Sequence, residues 1–104
     1  MNSADAQLIT SLIRDVPDFP SPGILFKDIT PLLRDAAGFA ATVKAFSEVS
    51  TNYDIVAGVE ARGFIFASAV AQFTGKGFVP IRKAGKLPAA AHSESYSLEY
   101  GVNE

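Results

Sequence analysis

The stretch Tyr53–Thr74, which reads YDIVAGVEARGFIFASAVAQFT, constrains the fold of this chain more than any other. Ile55–Ala57 is a short apolar run of the kind found in buried strands. The run breaks at Gly58, and an apolar, alanine-rich helix is predicted from Phe64 to about Phe73. A strand, a glycine-flanked turn and a helix in this order place backbone N–H groups and the positive end of the helix where an anion binds.

Arg62 lies in this turn, and a guanidinium group pairs well with phosphate oxygens. The turn is weak evidence by itself, because most turns between a strand and a helix only satisfy the backbone. A second basic stretch strengthens the prediction: Ile81–Pro88, IRKAGKLP, directly follows the next predicted strand. Its cations are Arg82, Lys83 and Lys86. This local bunching of positive charge suits a small anionic ligand better than a polyanion.

Composition bounds the class of protein. With 104 residues, of which 48% are hydrophobic, and a net charge of −2, the chain fits one globular domain or part of one. The absence of cysteine excludes disulfides and thiolate metal sites. Mild acidity argues against broad nucleic-acid binding, and the apolar runs are too short to span a membrane. Since no signal peptide is recognisable, a cytoplasmic protein with neither nucleic acid nor membrane as a partner is predicted.

Helices alternating with strands predict an α/β fold with parallel strands. The expected helices are one from Ser3, as its cap, to about Asp15, a short turn over Pro31–Arg34, and one from about Ala37 to Ser50. The strand Phe78–Ile81 contains Pro80, which cannot donate to a ladder and therefore indicates an edge or irregular strand. From Ser95 the tail alternates between apolar and polar residues, as in an extended strand or a hairpin arm.

The segment Val16–Pro31 is stiff and irregular, because its prolines restrict their own backbone and that of the preceding residues. Such a segment is either a lid over a core or a preorganised pocket wall. An extended stretch over Leu25, Phe26 and Lys27 would offer alternating N–H and C=O groups to the edge of a planar base. Phe26 would stack on the face of that base.

Four motifs together, FPSPGILFKDITPLL, AGVEARGFIF, IRKAGKLP and SYSLEYG, make the chain resemble the adenine phosphoribosyltransferases, which are type I phosphoribosyltransferases. The resemblance runs from about Ile13 to Gly101. It implies a Rossmann-like parallel sheet with an N-terminal hood. It also implies a homodimer that joins adenine to phosphoribosyl pyrophosphate, giving AMP and pyrophosphate. Mg²⁺ would be held through the substrate phosphates, with no direct protein ligand.

The resemblance further assigns roles to single residues. Leu25 and Lys27 would use backbone groups on adenine, and Phe26 would lie against its ring. The catalytic residues would be Arg82 and Glu99, the latter as the acid–base group of a flexible loop. Pyrophosphate would be bound by residues of both basic stretches and of this loop, namely Glu60, Ala61, Arg62, Arg82, Lys83, Lys86 and Tyr100.

The family tends to carry a non-proline cis peptide in its pyrophosphate loop, which here falls at Glu60–Ala61. Its members continue past Glu104 with a ribose-phosphate motif, and nothing like that motif occurs in this sequence. Residues 1–104 are therefore expected to be the N-terminal portion of a single domain, with a hood at 16–31 and a partial core and flexible loop at 53–104. The fold is then incomplete, and the chain is expected to be inactive and at best marginally folded alone.

Two other functions stay open at the level of sequence. One is a non-catalytic regulator that uses the same fold to sense purine nucleotides. The mild acidity and the lack of an added DNA-binding segment disfavour it. The other is a transferase that acts on xanthine or another purine, against which the intact hood argues.

Overall fold

The structure is a computed structural model that describes residues 1–85, 96–98 and 101–103. The chain forms two compact units, Met1–Asn52 and Tyr53–Glu104, which are described in turn. The first unit contains, in order, α1 (Ser3–Ser11), β1 (Arg14–Pro17), β2 (Leu25–Asp28), α2 (Thr30–Arg34) and α3 (Ala36–Ser47). Strands β1 and β2 form an antiparallel pair, and α1 and α2 both pack against α3.

The first helix differs from its prediction at both ends. Its cap is Asn2, whose side-chain oxygen accepts the backbone N–H of Asp5 at 2.8 Å. The helix ends at Ser11 instead of near Asp15, because the chain turns there and enters β1. Val16 lies at helical spacing from Leu12 and so continues the apolar stripe of the predicted helix, which is formed by Leu8, Ile9, Leu12 and Ile13. In the structure, however, Val16 pairs with Phe26 across the hairpin. Strand pairing thus overrides a helical period that was only local.

Helix α3 begins one residue before its predicted start and ends at Ser47, three residues before its predicted end. Asp35 caps it by accepting the backbone N–H of Gly38 at 2.8 Å. The short helix predicted over Pro31–Arg34 is confirmed as α2, with Pro31 in its first turn, where a missing N–H costs nothing. The buried residues of this unit are Asp28, Leu32, Gly38, Thr42 and Val43.

The second unit contains β3 (Ile55–Val59), α4 (Arg62–Thr74) and β4 (Gly77–Ile81), followed by the short strands β5 (Tyr96–Leu98) and β6 (Gly101–Asn103). Strands β3 and β4 are parallel, which confirms the predicted strand–helix–strand unit. Helix α4 ends at Thr74 and is followed by Gly75 in the left-handed backbone conformation, which glycine adopts readily. Strands β5 and β6 pair antiparallel, which confirms the hairpin arm.

Strand β3 was predicted to be buried, and this is wrong for one of its faces. Ile55 is 55% exposed and Val59 is 45% exposed, because α4 packs on the other face of a two-stranded sheet. Gly58 lies inside the strand instead of ending it. A Cβ there would lie 2.6 Å from the Cβ of Ala67 and 2.6 Å from the carbonyl oxygen of Gly63, so this glycine allows α4 to pack closely.

Pro80 pairs with Gly58 in the parallel register. Within the described ranges β4 has only β3 as a neighbour, and an edge strand tolerates a proline. In the same part of the chain, no helix has the length and apolar character needed to cross a membrane.

Candidate functional site

Strand β2 exposes an ordered backbone edge. It pairs with β1 so that Val16 opposes Phe26 and Pro17 opposes Leu25. Proline has no N–H, so the Pro17–Leu25 pair cannot exchange two hydrogen bonds. Hydrogen-bonded pairs alternate along an antiparallel ladder, and Val16–Phe26 is therefore the bonded pair. The backbone groups of Leu25 and Lys27 then point to the opposite edge, which pairs with no other strand in the part of the chain that the structure describes.

Two phenylalanines lie beside this edge. The rings of Phe19 and Phe26 meet edge to face, with centroids 5.1 Å apart and an angle of 68° between planes. Phe19 is 49% exposed and Leu25 is 53% exposed, so part of this surface is open. Phe19 was not among the predicted site residues. Its place between Pro17 and Pro20, in a segment that the prolines stiffen, is the sequence feature that could have identified it. The backbone N–H of Phe19 donates to the Ile24 carbonyl at 3.0 Å and so closes this loop.

The charges of the hairpin pair with one another across the two strands. Lys27 Nζ lies 2.5 Å from Asp15 Oδ1, and Arg14 lies 2.5 Å from Asp28 Oδ2. The other Asp28 oxygen accepts the backbone N–H and the hydroxyl of Thr30 at 2.9 and 2.8 Å. These Thr30 bonds, helped by Arg14, hold the pKa of Asp28 below its ordinary value of 3.8, although burial opposes them. The charged side chains of the two strands therefore neutralise one another.

The second unit contains the turn that the sequence marks for an anion. Strand β3 ends at Val59, the Glu60–Ala61 peptide is cis as the resemblance implied, and α4 begins at Arg62. The cap residue of α4 is Ala61, whose own side chain makes no capping hydrogen bond. Arg62 therefore sits where the helix dipole already favours a negative charge.

The second basic stretch lies beside this turn, because β3 and β4 are parallel neighbours and their carboxyl ends share one edge of the sheet. Three contacts of Glu60 join the two turns. Its backbone N–H donates to the Ile81 carbonyl at 3.0 Å, and its Oε1 accepts the backbone N–H of Lys83 at 2.5 Å. Arg82 Nε lies 3.8 Å from the same oxygen. That the joined turns bind an anion stays a prediction.

The structure brings together some predicted site residues and does not describe others. Within the first unit, the three residues of the predicted base site, Leu25, Phe26 and Lys27, share strand β2. Within the second unit, Glu60, Ala61, Arg62, Arg82 and Lys83 meet at the two turns. Lys86, Glu99 and Tyr100 lie outside the described residues, so their predicted roles stay predictions. Among the described residues, no three or more His, Cys, Asp or Glu side chains gather as metal ligands would.

No protein-family model matches the chain, but individual known proteins are similar to it in sequence and in structure. The adenine phosphoribosyltransferase of Cutibacterium acnes is 58% identical over 95 residues, which are 90% of this chain and 54% of the relative. The solved adenine phosphoribosyltransferase of Thermoanaerobacter pseudethanolicus is 46% identical with a TM-score of 0.84, covering 93% of this chain and 58% of that one. The chain is a homologue of the adenine phosphoribosyltransferases.

The fold is that of the same proteins, the type I phosphoribosyltransferase fold. The adenine phosphoribosyltransferase of Saccharomyces cerevisiae, 38% identical, superposes with a TM-score of 0.84 over 98% of this chain and 61% of its own. The chain thus spans little more than half the length of the adenine phosphoribosyltransferases that it matches. Because the named relatives are all adenine phosphoribosyltransferases, the comparisons favour neither the regulator nor the transferase for another purine.

Proposed function

We propose that the chain is part of an enzyme that transfers a phosphoribosyl group from phosphoribosyl pyrophosphate to adenine. The bond from the ribose C1 to pyrophosphate breaks, and the bond from C1 to adenine N9 forms, giving AMP and pyrophosphate. The observation that carries the proposal is the joining of two basic turns at the ends of parallel strands. Glu60 links them through its contacts with Arg82 and with the backbone of Lys83, and Arg62 begins the helix that follows the first turn.

The first unit supports adenine as the base. The groups of Leu25 and Lys27 face the open edge of β2 and supply both donors and acceptors, which the edge of adenine also presents. Phe26, with Phe19 packed against it, supplies an aromatic surface for the ring. The charged side chains of the two strands are paired, which suits a neutral base. In addition, the Saccharomyces cerevisiae structure was determined with adenine and an imino-altritol bisphosphate.

The second unit supports pyrophosphate as the leaving group. Negative charge grows on pyrophosphate as its bond to the ribose breaks, and fixed cations stabilise that charge in the transition state. Arg62, Arg82 and Lys83 lie at the turns and would supply this positive charge. Lys86 and Tyr100 are proposed to bind pyrophosphate as well. Glu99 is proposed to accept the proton that leaves adenine as N9 attacks.

The proposal includes Mg²⁺ and a dimer of identical chains, which follow from the resemblance, and the cytoplasmic location that the sequence predicts. Magnesium prefers oxygen ligands and usually binds nucleotide enzymes through substrate phosphates. The side chains at the two turns fit that mode by their chemistry, because Arg62, Arg82 and Lys83 are cations that would bind phosphate oxygens and not a metal ion. When bound, the ion would neutralise part of the charge of the leaving pyrophosphate.

The test titrates the chain separately with adenine and with pyrophosphate, and follows amide NMR signals. We expect adenine to shift signals of β2, and pyrophosphate to shift signals of both turns. Phe26→Ala should weaken adenine binding by roughly 5- to 150-fold, since loss of one base–aromatic stack costs about 1–3 kcal/mol. The same variant should leave pyrophosphate binding unchanged.

A matched control is Phe73→Ala, which removes a phenylalanine that is 61% exposed at the far end of α4. It should change neither affinity. If Phe26→Ala lowered the affinities for adenine and pyrophosphate equally, or lowered neither, the assignment of the base site would be contradicted. A pyrophosphate response confined to one turn would contradict a single anion site. AMP formation is then assayed after adding the part of the Cutibacterium acnes relative that this chain does not cover.

A further inference from the structure

We propose that Glu60 is a positioning residue, which couples the two basic turns and holds the second one in the geometry that receives the anion. This inference rests on the proposed function, because it concerns how the pyrophosphate site is built. The sequence placed Glu60 among the pyrophosphate ligands. The contacts of its backbone and side chain assign it a different part in the same site.

Glu60 cannot act as a direct partner of pyrophosphate in the way that Arg62 can. Its carboxylate carries the same sign of charge as the ligand, and like charges at close range repel. Its backbone N–H already donates to the Ile81 carbonyl at 3.0 Å. The presence of this residue between cationic neighbours therefore needs another reason.

The reason lies in what its side chain accepts. Oε1 takes the backbone N–H of Lys83 at 2.5 Å, although 23 residues separate the two in sequence. Together with the Glu60–Ile81 bond, this fastens the chain on both sides of Arg82. The side chain of Glu60 is only 12% exposed, so water competes weakly for these bonds.

The Glu60 carboxylate also interacts with the guanidinium group of Arg82. Arg82 Nε lies 3.8 Å from Oε1, close enough for an ion pair, and 37% of the Arg82 side chain is exposed. An ion pair made through Nε orients the planar guanidinium, which presents its donors in a fixed fork. One carboxylate thereby sets both the backbone path of the second turn and the direction of its arginine.

Two variants separate these effects. Glu60→Gln keeps an oxygen that accepts the Lys83 N–H and removes the negative charge, whereas Glu60→Ala removes both. We expect Glu60→Ala to weaken pyrophosphate binding by roughly 10- to 100-fold, which is the scale of one lost hydrogen bond to a charged group. Glu60→Gln should bind within about threefold of the unaltered chain, because the backbone bond survives. Adenine affinity should stay the same in both.

The measurements are pyrophosphate and adenine titrations, with hydrogen exchange of the Lys83 amide as a readout that needs no ligand. Exchange should accelerate in Glu60→Ala and stay slow in Glu60→Gln. Glu48→Ala is the matched control, since it removes an exposed glutamate from α3's C-terminal cap and should change none of these values.

Each outcome decides between the two claims. Unchanged pyrophosphate affinity and unchanged Lys83 exchange in Glu60→Ala would overturn the inference while leaving the proposed function in place. Equal losses in Glu60→Gln and Glu60→Ala would overturn the claim that the bond to the Lys83 N–H positions the second turn, because loss of the Arg82 ion pair alone would then explain the effect. Failure of the unaltered chain to bind pyrophosphate would instead overturn the proposed function. The Lys83 exchange rates would still show whether Glu60 fastens the second turn.

Discussion

The β1–β2 hairpin and the two turns after β3 and β4 both concentrate charge, but they arrange it in opposite ways. In the hairpin each cation has its own carboxylate on the paired strand: Arg14 meets Asp28, and Lys27 meets Asp15. At the turns, by contrast, Glu60 is a single carboxylate among several basic residues, namely Arg62, Arg82 and Lys83. The hairpin is thus close to neutral, whereas the turns carry an excess of positive charge.

This difference matches the two ligands that we propose for the chain, a neutral base and pyrophosphate. A neutral base is best read by backbone donors and acceptors on a rigid strand, because their positions do not depend on side-chain rotamers. A small, multiply charged anion such as pyrophosphate is best bound by cationic side chains, because charge-assisted hydrogen bonds to phosphate are stronger than neutral ones. The hairpin should therefore tolerate changes of side-chain charge that the turns do not.

The largest expected effect is that of Arg62→Ala. Loss of a hydrogen bond to a charged group costs about 1.5–3 kcal/mol, so the Kd of pyrophosphate should rise roughly 10- to 150-fold. Isothermal titration of the purified variant measures it. Arg34→Ala, at the end of α2, removes an arginine from the first unit and serves as the control. A comparable loss in both variants would mean that net charge, not the turn, determines affinity.

The next prediction concerns the packing on which the turns depend. Gly58→Ala would place a Cβ 2.6 Å from Ala67 and from the Gly63 carbonyl, and α4 would have to shift. Overpacking of this kind should lower the free energy of unfolding by about 1–3 kcal/mol. Gly77→Ala is the control in β4, because its Cβ would lie 3.9 Å from Ile55. Denaturant melts that do not differ between the two variants would contradict this account.

The hairpin has a pH dependence of its own. Because the Thr30 bonds and Arg14 lower the folded-state pKa of Asp28 below 3.8, its ionised form stabilises the fold above that pH. The contribution is lost as the pH falls through the folded-state pKa. The difference in stability between the chain and Asp28→Asn should be constant near neutral pH and shrink below about pH 4. If this difference in stability grew as the pH falls, the pKa of Asp28 would be raised by folding instead of lowered, and this account would be contradicted.

The smallest expected effect is that of Lys27→Met. Its side chain pairs with Asp15 at a site where both are 59% exposed, and such surface pairs contribute about 0–1 kcal/mol. If β2 reads adenine through its backbone, the affinity for adenine should stay within about twofold of the unaltered chain. A tenfold loss in an adenine titration would show that the lysine side chain itself binds the base, and would remove the contrast between hairpin and turns.

The sequence by itself determined the local elements and their order. The apolar run and the alanine-rich segment around VEARG located β3 and α4, and the extended stretch at Leu25–Lys27 is β2. The four motifs were enough to predict a resemblance to the adenine phosphoribosyltransferases, and comparison with known proteins confirms that resemblance. Such features are readable because backbone propensity and side-chain period act within a few neighbouring residues.

Only the tertiary structure decided which elements meet. The pairing of Val16 with Phe26 removed Val16 from its helical stripe, and the two-stranded sheet left Ile55 exposed on one face. The bond between Glu60 and Lys83 joins positions far apart in sequence. It exists because parallel pairing of β3 and β4 brings their carboxyl ends to one edge. No local pattern encodes such a contact, since its energy depends on strand order and not on the residues beside it.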